Sequence, residues 1–105
     1  MSKKYNKLVR DKIPEIIKRK GLHPVTRTLN DKEFVETLID MLCQEVDEFD
    51  QDRNVEELAD ILEVVMTLIG AMGVKQSELK AVRDKKIAAN GGFKRRIFLE
   101  KVEDS

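Results

Sequence analysis

Two amphipathic helices in succession, residues 30–73, carry acids where their apolar faces should be, and this constrains the chain more than any other feature. Successive helical residues lie about 100° apart around the axis. That spacing puts Glu45 inside the arc swept by Phe34, Leu38, Met41, Leu42 and Phe49, with Glu48 at its edge. On the second helix Glu57 falls between Val64 and Leu68, and Asp60 borders the same side. A buried carboxylate without a partner is costly, so it persists only when protonated, ion-paired or bound to a cation. The two pairs, Glu45/Glu48 and Glu57/Asp60, flank a predicted polar turn, Asp50-Gln51-Asp52-Arg53. Carboxylates three apart on a helix share a face, so each pair can grip one cation. The all-oxygen set formed by both pairs favours Mg²⁺ or Mn²⁺ over zinc.

A chain of 105 residues is long enough for one domain with a single modest core. Gly, Pro and aromatic residues are few, and Leu, Ile, Val, Ala, Glu and Lys dominate. The expected fold is therefore all-α, a four-helix antiparallel bundle with a short extended C-terminal tail. The helix beginning near residue 55 is apolar over most of its circumference and needs neighbours on nearly every side. Three other short helices are too few for that, which predicts a homo-oligomer, a dimer or a tetramer. The lone Cys43 excludes an internal disulfide and a cysteine-based zinc cluster, and it suits a reducing cytoplasm. The most apolar run, residues 61–72, is interrupted by Glu63 and is too short to cross a bilayer; no signal peptide is evident.

Local signals place the elements. Asp11 is a candidate cap for a first helix that tolerates Pro14 in its opening turn, ends in Lys18-Arg19-Lys20 and stops at Gly21. Residues 22–29 should be extended, with His23, the only histidine, as a loop residue. Asn30 with Glu33 has the form of a capping box, and Asn54 with Glu57 repeats it, giving Glu57 a competing structural role. Gly73 should end the third helix, Ser77 should cap a fourth, and Asn90-Gly91-Gly92 should terminate it. Residues 93–102 read as an extended tail or an edge strand.

Charge is balanced overall, with twenty basic and twenty acidic side chains, but it is segregated. Residues 1–28 carry a net +7, residues 31–63 a net −11 and residues 75–105 a net +4. An acidic centre between basic ends can hold a cation and an anionic substrate together. A metal neutralises only part of a polyphosphate, so further cations are expected from the flanks: Arg10 and Lys12 at the first helix, Lys86 and Arg83 on the fourth. The acidic centre and the lack of an aromatic-rich basic face argue against a nucleic-acid partner.

Glu45-Val-Asp-Glu48 followed by Glu57-Leu-Ala-Asp60 resembles the ExxE…ExxD signature of the MazG-like all-α nucleoside triphosphate pyrophosphohydrolases, a superfamily that includes phosphoribosyl-ATP pyrophosphohydrolase. The opening Asn6-Lys-Leu-Val-Arg-Asp-Lys-Ile-Pro14 and the closing Lys86-Ile-Ala-Ala-Asn-Gly-Gly-Phe93 are similar to the flanks in one small single-domain branch, so the resemblance covers nearly the whole chain. It implies Mg²⁺-dependent hydrolysis of a nucleotide substrate to monophosphate and pyrophosphate, in a house-cleaning role or with phosphoribosyl-ATP as substrate. Glu45, Glu48, Glu57 and Asp60 would be the metal ligands, with one glutamate orienting the attacking water and Lys86 meeting developing charge. That branch usually has a basic residue just before the paired glycines. Here Asn90 stands there, which puts more weight on Lys86. A reading from another class is a non-catalytic helical oligomerisation module whose acids form only salt bridges.

Overall fold

The structure, a computed structural model, describes residue 3 and residues 5–104. The chain is all-α, with helices α1 (Ile13–Arg19), α2 (Asp31–Asp52), α3 (Val55–Ala71) and α4 (Gln76–Asn90) and no strand among the described residues. It divides into two compact units, Met1–Gly73 and Val74–Ser105. Among the described residues no helix is long and apolar enough to cross a membrane.

The first unit is built on an α2–α3 hairpin. Asn30 opens α2 with the complete reciprocal capping box: its Oδ1 accepts from the Glu33 amide at 2.8 Å, and Glu33 Oε1 accepts from the Asn30 amide at 3.4 Å. The connection is shorter than the sequence suggested, because Asp50, Gln51 and Asp52 continue the helix and only Arg53 and Asn54 turn. Arg53 takes the left-handed conformation, φ 48°, and its amide donates to the Phe49 carbonyl at 2.7 Å. Its guanidinium reaches back to the Asp50 side chain at 3.0 Å, so the ion pair stabilises a turn that glycine would adopt with less strain. A two-residue link between long helices makes them antiparallel neighbours.

The buried face follows the predicted stripe. Leu38 on α2 and Val64 on α3 are 2 % and 7 % exposed, and Phe34, Met41, Leu42, Phe49, Ile61 and Leu68 are half-buried around them. This is a thin core for two helices of 22 and 17 residues. Leu58 and Leu62, one turn apart on α3, stay 49 % and 61 % exposed.

Two end signals differ from expectation. The cap of α1 is Lys12, not Asp11, and it makes no side-chain cap bond; the Ile13 amide donates instead to the Arg10 carbonyl at 3.0 Å, a tight turn that occupies Asp11. The cap of α4 is Lys75, one residue before the helix, so Ser77 lies inside the first turn. Residues 22–30 form an irregular connection that includes the exposed His23. The glycine stops are as expected: Gly21, Gly73 and Gly91 all have positive φ at the ends of α1, α3 and α4.

In the second unit α4 is exposed along its length apart from the half-buried Leu79. The tail after Gly91 has no strand; a turn closed by the Arg96 amide on the Phe93 carbonyl at 3.1 Å interrupts it.

Candidate metal centre

The α2–α3 hairpin brings Glu45 of α2 against Glu57 and Asp60 of α3. One carboxylate oxygen from each lies within 4.8 Å of the others, and all three residues are half-buried. The positions follow from helix geometry. Glu45 sits one turn after Leu42 on the stripe that faces α3, while Glu57 and Asp60 lie in the opening turns of α3, directly beyond the two-residue link.

Glu57 decides between its two candidate roles. Asn54 caps its amide at 2.9 Å, but the reciprocal bond that Glu33 makes at the previous helix is absent here. Its side chain is therefore free of the cap and joins the cluster. Glu45 Oε2 and Glu57 Oε2 are both buried without a hydrogen-bond partner. Lone pairs in that state cost free energy that a cation would recover, and oxygen donors are what Mg²⁺ or Mn²⁺ requires, so the residues fit such an ion.

Electrostatics agree. The Glu45 carboxyl is pushed above its ordinary pKa, first by burial and then by the charges of Glu48, Asp60 and Glu57. Glu57 is raised likewise, by burial first and then by Glu48, Asp60 and Asp52. Glu48 is thus close enough to act on both, although it is exposed and its oxygens are not among the three that converge. Asp52 was not singled out in the sequence. Its placement in the last turn of α2, not in a loop, adds a fifth acid to the local field.

Arg10 closes one side. Its guanidinium donates to Asp60 Oδ1 at 2.7 Å, the one side-chain hydrogen bond between distant segments among the described residues. Both partners are partly exposed, 63 % and 42 %, so the pair is open to exchange with a ligand. Separately, residues 6–8 and the α2 residues Thr37, Asp40, Met41 and Gln44 line a half-open cleft of about 250 Å³ that includes none of the cluster acids. The sequence pointed to no such cleft; the polar positions 37, 40 and 44 at helical spacing were its only trace.

The other expected cations are placed less specifically. Lys12 is the exposed cap residue of α1, and Arg83 and Lys86 are exposed residues of α4 in the second unit. Compared with protein-family models, curated proteins and solved structures, the chain matches none of them.

Proposed function

We propose that this chain is a divalent-cation-dependent nucleoside triphosphate pyrophosphohydrolase of the MazG-like kind, releasing a nucleoside monophosphate and pyrophosphate. The observation that carries the reading is the pair of buried, partnerless oxygens on Glu45 and Glu57, in a cluster whose far edge bears Arg10 on Asp60. A purely structural set of acids would be expected to pair off its buried oxygens. An arginine alongside them is the group that recognises phosphate oxygens in a planar, bidentate manner.

Bound Mg²⁺ or Mn²⁺ would neutralise part of the triphosphate charge and polarise the phosphoryl group under attack. Glu45, Glu57 and Asp60 would hold the ion. Glu48, outside the converging trio and accessible to solvent, orients the attacking water and takes its proton. The water oxygen bonds to the phosphorus next to the nucleoside, the bridging P–O bond breaks, and pyrophosphate leaves with the electron pair. Arg10 exchanges Asp60 for phosphate oxygens, and Lys12 follows on the same segment. For charge developing on the leaving group the resemblance favours Lys86; Arg83 is a candidate only from its place one turn earlier on α4.

The reading includes self-association, because the exposed apolar pair Leu58 and Leu62 leaves a face of α3 that a second copy would cover. Sedimentation at micromolar concentration should give at least a dimer, and a well-folded monomer contradicts this part. For the chemistry, a panel of nucleoside triphosphates and phosphoribosyl-ATP with Mg²⁺ should release pyrophosphate from at least one member. No release from any, with no Mg²⁺-dependent rise in melting temperature, would leave the non-catalytic oligomerisation module as the better account.

A further inference from the structure

The three acids that converge in the α2–α3 hairpin are not equivalent. Glu45 and Glu57 each keep a buried oxygen without a partner, whereas Asp60 has its Oδ1 occupied by the Arg10 guanidinium at 2.7 Å. Of the ion pairs among the described residues, this one alone involves an acid of the cluster. The Arg10 backbone is fixed independently of that pair, because its carbonyl accepts from the Ile13 amide at 3.0 Å in the turn that opens α1. Only the side chain, 63 % exposed, reaches Asp60. The pair can therefore break without disturbing the segment that carries it.

An arginine on a metal-binding carboxylate has two possible roles. It can orient the carboxylate from outside, in which case removing it weakens metal binding. It can instead neutralise charge that the ion requires, in which case removing it strengthens binding. Helix geometry favours the second role. Asp60 follows Glu57 by three residues in the rigid backbone of α3, so the helix already sets the two on one face without help from Arg10. Charge favours it too. A guanidinium stays positive at any ordinary pH, and it repels a divalent cation drawn to the same carboxylate whichever oxygen faces the ion. Because both partners are partly exposed, the pair is weak enough to yield.

We propose that Arg10 is a built-in competitor for the cation: it draws on the same Asp60 charge as a divalent ion and so lowers the affinity of Glu45, Glu57 and Asp60 for Mg²⁺ or Mn²⁺. This rests on the cation-binding part of the reading above and deepens it, giving Arg10 a duty besides phosphate contact.

Mn²⁺ titrations of the full chain at low ionic strength, with free Mn²⁺ read by electron paramagnetic resonance, compare the parent with Arg10→Gln, Arg10→Ala and Arg19→Gln. Arg19, in an exposed pair with Glu15 at 3.0 Å on α1, controls for the loss of one positive charge elsewhere in the first unit. Both Arg10 variants should bind Mn²⁺ on the order of fivefold tighter than the parent, the worth of one exposed ion pair. Arg19→Gln should match the parent, and the Arg10 gain should shrink as added salt screens the charge. A loosened fold cannot mimic this result, since it would bind Mn²⁺ more weakly. If the Arg10 variants bind as the parent does, or more weakly, the competition is overturned and the cation site stands. An equal gain in Arg19→Gln reduces the effect to net charge and also overturns the competition. No saturable binding in any of the four proteins overturns the cation site as well.

Discussion

Asn30-Asp-Lys-Glu33 and Asn54-Val-Glu-Glu57 open two helices with the same spacing, and their glutamates end in opposite states. Glu33 returns its side chain to the Asn30 amide and accepts two bonds from Arg27, at 3.3 and 3.0 Å. Its pKa is lowered, first by the Arg27 hydrogen bond and then by that of Asn30. Glu57 gives only its amide to the cap, buries an oxygen without a partner and has a raised pKa. The difference lies in the neighbours. Glu33 starts a helix beside a basic connection, whereas Glu57 starts one two residues after an acidic helix end and opposite Glu45. A shared local motif therefore closes a reciprocal cap at one site and leaves a partnerless carboxylate oxygen in an acid cluster at the other.

Activity should divide the two glutamates most sharply. Glu57→Gln is expected to lower Mg²⁺-dependent pyrophosphate release by on the order of a thousandfold in kcat/KM, and Glu33→Gln to leave it near the parent value. Equal losses in both variants would mean that Glu57 acts only through helix stability. Smaller effects, of about a hundredfold, are expected for Arg10→Ala, with a substantial KM component, and for Lys86→Ala, mainly in kcat. Wild-type kinetics in both would reduce the basic flanks to solvated surface.

Stability without divalent cations should change in opposite directions at the two sites. A raised carboxyl pKa means that the folded state binds more protons than the unfolded one. The penalty from Glu45 and Glu57 is then fully present above their raised pKa values and fades as pH falls through them to the ordinary range of about 4.3. Glu33 has a lowered pKa, so its contribution is present above that ordinary value and is lost as pH falls through the lowered one. At neutral pH in chelator, Glu57→Gln should therefore melt a few degrees higher than the parent and Glu33→Gln a few degrees lower. The Glu57→Gln difference should close by about pH 4. A lower melting temperature for Glu57→Gln throughout that range would contradict the repulsion assigned to the cluster.

The parts of the molecule legible in the sequence were those set by neighbours within a turn or two. The Asn30 capping box, the glycine stops at Gly73 and Gly91, and the burial of Glu45 and Glu57 on the apolar stripes all follow from spacing. Less legible was the link between the helices. Asp50, Gln51 and Asp52 look like turn residues, but the αL conformation of Arg53, held by Asp50, lets the helix run on. That extension brings Asp52 into the field of Glu57. Arg10 stood out in the sequence as a candidate cation for phosphate, but its seat on Asp60, fifty residues away, depends on tertiary packing that no local pattern encodes. The cleft between residues 6–8 and α2 was hidden for the same reason, since its walls come from two separate segments.

The central claim is that Glu45, Glu57 and Asp60 bind one divalent cation, and Mn²⁺ binding followed by electron paramagnetic resonance tests it without reference to turnover. The account predicts a titration saturating at one Mn²⁺ per chain, competed by Mg²⁺, abolished in Glu57→Gln and retained in Glu33→Gln. No saturable Mn²⁺ signal in the parent, or equal binding in both variants, would contradict it.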